Sequence, residues 1–147
     1  TLCRRIVVIA AEDIGNASPQ ALPIAVAASQ GAQSIGYPEA RILLAQAVTF
    51  LVASPKSNAA IKGIDAALAD IASGDIGEIT PHLRGGHYSE ADALERGQGY
   101  KYPHDYPGNY VRQEYLPEAL RGRRYYQPTE NGSEKAISDR LKKLRGE

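Results

Sequence analysis

Apolar positions recur at helical spacing through most of residues 1–73, and the elements can be drawn from that pattern. A first helix is predicted over Thr1–Ile14, with Leu2, Ile6, Val7 and Ile9 to Ala11 apolar and Gly15 as its stop. Glu12 and Asp13 fall at its C-terminal end, where the helix dipole disfavours acids, so each is expected to pair with something or cap a neighbour. Ser18-Pro19 restarts the chain as a cap and first helical residue, and this second helix should reach about Ser34 and stop at Gly36. Pro23 predicts a kink in it or a delayed regular part. A third helix is predicted over Pro38–Ala53. Its only polar residues from 39 onward are Glu39, Arg41, Gln46 and Thr49, which implies burial nearly all round. Either a partner subunit or a central place in a five-helix bundle would supply that burial. Lys56–Ser73 forms a fourth helix, with Ile61, Ile64, Leu68 and Ile71 as an amphipathic stripe.

Periodicity then fails. Residues 97–110 read GQGYKYPHDYPGNY, in which Pro removes N–H donors and Gly favours turns. Eight of the nine tyrosines lie between Tyr88 and Tyr126. Disordered segments are poor in aromatics, so an ordered loop is predicted, its rings packed on a bundle end and its hydroxyls bonded to backbone. Around it, Ser89 caps a short helix to about Arg96, and Pro117–Leu120 makes one turn at most. Thr129 caps a last helix to about Leu144 with Ile137, Leu141 and Leu144 apolar. The fold class is all-α, a single domain with a helical core over 1–80, a Tyr/Gly/Pro-rich irregular segment over 81–128 and a C-terminal helix over 129–147.

Composition narrows the chemistry. The 147 residues suit one domain, and 17 basic against 17 acidic residues leave no global footprint for nucleic acid. The lone Cys3 excludes an intramolecular disulfide and is expected to be a core thiol. No apolar run is long enough to span a bilayer, so no membrane partner and a cytoplasmic location are expected. The chain opens on Thr1 and holds no Met, as expected for a piece of a longer protein. No phosphate loop, zinc-protease or nucleophile-elbow motif occurs, so no catalytic residue, metal ligand or cofactor is predicted for this segment. For His82, His87 and His104, hydrogen-bonded loop histidines are a simpler reading than a zinc site. Lys56-Ser57-Asn58 lacks the glycines of a phosphate cradle, and Ser57 or Asn58 is expected to cap a helix. The strongest basic cluster is Arg121, Arg123 and Arg124. With Lys101, Tyr102 and Tyr106 it is the candidate nucleic-acid contact, as a stacking platform.

Several runs together carry a resemblance: residues 4–7 and 11–15, GYPEAR at 36–41, SPKSN at 54–58, PHLR at 81–84, YKYPHDYPG at 100–108 and GRRYY at 122–126. Over the whole chain they resemble the C-terminal region of the MgsA (replication-associated recombination protein A) family. These are AAA+ ATPases related to clamp loaders and to the Werner-helicase-interacting protein. The resemblance implies a helical, clamp-loader-collar-like oligomerisation domain, a homotetramer, and a role in replication-fork maintenance and recombination. It places the ATP and Mg²⁺ site outside these residues, and for the intact protein it implies DNA and single-strand-binding protein as partners. The candidate oligomer and core residues are Leu22, Val26, Ile42, Leu43, Val48, Phe50 and Leu51. The alternative is a DNA-contacting module built from residues 97–126.

Overall fold

The computed structural model describes residues 1–74, 76–84 and 99–147. Within them the chain has five α-helices and no strand. They are α1 (Leu2–Ile9), α2 (Ala21–Ile35), α3 (Ala40–Ala53), α4 (Ala59–Ser73) and α5 (Glu134–Arg145). The short helix expected over 89–96, and His87, lie outside the described residues. The chain divides into two compact units, one of residues 1–67 with 124–147 and one of residues 68–123.

In the first unit α1 continues as a π-helical turn, Ala10–Ile14, and ends where Gly15 adopts φ 50°. The second helix begins later than Ser18-Pro19 implies. Pro23 therefore falls in the first turn of α2, where no N–H has an intrahelical partner, and no kink is needed. Thr129 does not cap α5 either: its hydroxyl accepts from Asn131 N at 3.2 Å, and the helix starts at Glu134.

The core of this unit is made of small residues. Ala10, Ala21, Ala25, Ala28, Ala32, Ala40 and Ala47 are buried together with Ile6, Ile14, Leu44 and Leu51. On α2 the buried positions are all alanine, which lets α1 and α3 approach closely. The larger aliphatics of α2 and α3 are left outside: Leu22, Ile35, Ile42, Val48 and Val52 are exposed. The expectation that α3 would be buried on nearly every side is not met within one chain. A similar inversion holds on α4, which buries Ala59 and Gly63, while Ile64, Leu68 and Ile71 keep 54–56% of their surface in solvent. Gly63 is buried instead because the Tyr125 carbonyl lies over it, 3.1 Å from where a Cβ would stand.

In the second unit, short 3₁₀ turns at 81–83, 103–105, 107–109 and 118–120 carry the irregular chain. Polar side chains hold it. Gln113 bridges to Lys101 N and O at 3.1 and 2.7 Å, and a His82 ring nitrogen bonds the Glu114 carbonyl at 2.8 Å. The tyrosines do not pin it by ring burial, since Tyr100, Tyr102, Tyr106, Tyr110 and Tyr115 are all exposed. The rings of Tyr102 and His104 are 5.1 Å apart.

Candidate functional site

Two features of the first unit bear on function: a polar knot that fastens α5, and the surface of α3 beside it. Helix α3 ends before Ser54-Pro55, leaving carbonyls without partners. Lys56 turns back onto them, its ammonium donating to Leu51 O at 2.8 Å, Val52 O at 3.2 Å and Ser54 O. Three donors meet three acceptors at the negative end of the helix, a favourable charge placement. The next residue, Ser57, accepts from Ala59 N at 3.2 Å and so caps α4, as expected.

The same Ser57 hydroxyl bonds Glu134, whose side chain is fully buried. The Tyr126 hydroxyl donates to one Glu134 oxygen at 2.7 Å, and the Thr129 hydroxyl donates to the other at 2.7 Å. Burial pushes the Glu134 carboxyl up, but the bonds from Ser57, Thr129 and Tyr126 outweigh it and hold the carboxyl below its ordinary range. Tyr126 moves the opposite way. Burial pushes its phenol up, Asn16 (3.1 Å) draws it down, and Glu134 adds to the rise. Main-chain contacts complete the knot: Ser133 N bonds Ala17 O, and the Asn131 amide bonds Lys56 O, both at 2.9 Å. The turn permits only glycine at 132, where φ is 52° and a Cβ would collide with the Ala17 carbonyl and the Pro55 ring.

Neither Glu134 nor Lys56 stands out among candidates chosen from sequence. A glutamate in the first turn of a helix looks like an ordinary dipole acid. Lys56 carries a better signal, a base just past a helix stop.

Of the candidate oligomer residues, Leu22, Ile42 and Val48 are exposed, Val26, Leu43 and Phe50 are half-buried, and Leu51 is in the core. Ile42 and Val52 leave 61% and 75% of their surface in solvent. Along the outer side of α3 they are joined by Ala45, Val48 and Thr49, and Thr49 returns its hydroxyl to its own helix at Ala45 O, 2.9 Å away. Arg41 is the only charged residue in the helix.

Each of the three candidate arginines has a carboxylate partner within its own unit. Arg121 lies 3.8 Å from Glu114, Arg123 bonds Asp70 at 3.0 Å, and Arg124 bonds Glu147. Arg121 and Arg123 belong to the second unit and Arg124 to the first. Lys101, Tyr102 and Tyr106 lie together in the second unit, all exposed. Cys3 is a half-buried free thiol. No helix among the described residues is long and apolar enough to cross a membrane.

Comparison with known proteins places this arrangement. The family described as "MgsA AAA+ ATPase C terminal" matches residues 1–145. The Replication-associated recombination protein A of Bacillus subtilis (strain 168) is 51% identical over 145 residues, covering 98% of this chain and 34% of that protein. The protein of the same name from Escherichia coli (strain K12) is 37% identical over 141 residues, covering 95% of this chain and 32% of that protein. The ATPase WRNIP1 of Dictyostelium discoideum is 29% identical over 127 residues, covering 86% of this chain and 14% of that protein. The chain thus spans about a third of the length of the two bacterial relatives. An all-helical unit with an alanine core and matches over nearly its full length make this chain a member of the MgsA AAA+ ATPase C-terminal family.

Proposed function

We propose that this domain is the self-association module of a replication-linked AAA+ ATPase, joining identical chains through the outer faces of α2 and α3. The observation that carries the reading is the inversion of the core. Alanines face inward while Leu22, Ile35, Ile42, Val48 and Val52 face outward, so burial within one chain leaves large aliphatics unused. Covering a Leu, Ile or Val completely is worth about 1.5–3 kcal/mol, so leaving several exposed on neighbouring helices favours burial against another chain. Identical chains usually close into a symmetric assembly, and the homotetramer implied by the family resemblance is the assembly proposed here. The ATP and Mg²⁺ site of the intact protein lies outside these residues in this reading, so the domain itself is not the enzyme. Light scattering over a micromolar concentration series is the direct test. A strictly monomeric mass throughout would remove the reading.

A second reading has an observation of its own. Five tyrosines between 100 and 115 are exposed in one compact unit, and base stacking on such rings is sequence-tolerant. In this reading the second unit contacts single-stranded DNA through Tyr102, Tyr106 and Lys101. Fluorescence anisotropy of a labelled single strand against the Tyr102→Ala, Tyr106→Ala double variant tests it, and unchanged affinity would exclude it.

A further inference from the structure

Between Asp13 and Lys56 the chain carries only two charged residues, Glu39 and Arg41, and they stand together where α3 begins. Both are exposed. Neither side chain takes part in an ion pair or hydrogen bond among the described residues; Glu39 is used only through its main-chain carbonyl, by Ile42 N at 2.9 Å. They do not pair with each other because residues two apart on a helix do not face one another. Arg41 also lies in the first turn of α3, the end at which the helix dipole disfavours a cation.

Large apolar side chains flank this pair. Ile35 ends α2, Tyr37 lies in the connection and Ile42 follows Arg41, with 55%, 78% and 61% of their surfaces exposed. Helix α2 itself has no charged residue. The corner between α2 and α3 is therefore an apolar surface bearing one acid and one base. Its net charge of zero offers no attraction to nucleic acid or an anionic membrane. It does fit one partner. A surface with one charge of each sign is complementary to itself under a two-fold rotation, in which each copy offers what the other receives.

We propose that this corner is a two-fold contact between copies of this chain, with Glu39 of each copy paired to Arg41 of the other and Ile35, Tyr37 and Ile42 covered between them. The proposal rests on the self-association reading above and adds to it the geometry of one contact and the residues that select the partner. The apolar side chains supply affinity. The reciprocal ion pairs set the register, because a slipped arrangement leaves both charges unpaired or places like against like. Each Arg41 gains the carboxylate that its place at the helix start calls for.

The test uses the full 147-residue chain in sedimentation velocity over a micromolar concentration series. The variants are Glu39→Lys, Arg41→Glu and the double Glu39→Lys, Arg41→Glu chain. Each single change puts like charges in both ion pairs and should weaken association roughly tenfold or more, since facing like charges cost more than an exposed pair gains. The double variant exchanges the two signs and should recover association close to the parent's. An equimolar mixture of the two single variants should also associate, because its mixed contacts again match opposite signs. Both residues are exposed, so helical circular dichroism should stay unchanged in every variant. Unchanged association in the single variants, with Ile42→Lys dissociated, would overturn this contact and leave the self-association reading standing. Single variants that dissociate but recover neither by mixing nor in the double chain would overturn the pairing. A parent chain that is monomeric throughout would overturn the reading and this contact together.

Discussion

The Tyr126 hydroxyl reaches the buried Glu134 carboxylate at 2.7 Å, and with it the segment after residue 123 is tied to the helical core. Glu134 also receives Thr129 and Ser57, so one carboxylate joins the start of α5, the turn before it and the cap of α4. Such a group is tolerable in a small domain only because each oxygen is hydrogen-bonded.

Glu134→Ala should therefore be among the costliest single changes in the chain. It leaves three hydroxyls facing a void, and a loss of about 2–4 kcal/mol is expected in urea unfolding. Glu134→Gln keeps the shape and should cost about half as much.

The same network sets a pH dependence. The folded-state pKa of Glu134 lies below its unfolded value, so its contribution is complete above about pH 4.3 and is lost as pH falls through the folded value. Glu130, held at about 2 by Ser138, Lys142 and Lys135, titrates in the same direction. Tyr126 is raised, so its contribution is complete below about pH 10 and is lost as pH rises through the folded value. Unfolding followed from pH 7 to pH 2 should show stability falling below about pH 4.3, with a shallower fall in Glu134→Gln.

Lys56→Met removes the cap on α3 while retaining an aliphatic stem. A cost of about 1–2 kcal/mol is expected, read as a lowered thermal midpoint. Lys56→Arg should restore only part, because a planar fork cannot reproduce three contacts made by a rotating ammonium.

Gly132→Ala places a Cβ against the Ala17 carbonyl at a positive φ. The variant should lose about 2 kcal/mol or more in a denaturant titration, since both strain and collision act against it.

On α3, Ile42→Lys and Val52→Glu lie on the exposed side, so the thermal midpoint should stay nearly constant. Apparent mass in light scattering should drop at the same time. A drop in both quantities together would point to core damage instead.

For the arginines, each carboxylate partner sits on or near the surface, and exposed pairs are worth about 0–1 kcal/mol. The Arg121, Arg123, Arg124 triple alanine variant should fold. If the cluster touches DNA phosphates, the salt slope of single-strand binding should fall by about one unit per contact removed.

The amino-acid pattern by itself determined where helices occur, because spacing, Gly15, Gly36 and Ser54-Pro55 are local signals that act within a few residues. It also carried the family, through runs such as YKYPHDYPG, and a cap for α4 at Ser57 or Asn58, of which the structure selects Ser57. Which face of each helix turns inward was decided only in three dimensions. An aliphatic stripe such as Ile64, Leu68 and Ile71 shows that a helix is amphipathic but not which surface it will meet, and alanine positions became the core because they allow the closest helix approach. The tyrosine segment followed the same logic. Its rings can be buried or exposed, and Gln113 and His82 made burial unnecessary by satisfying the backbone directly. Glu134 is the extreme case. A buried carboxylate depends on hydroxyls from residues far apart in the chain, and no local pattern records their convergence.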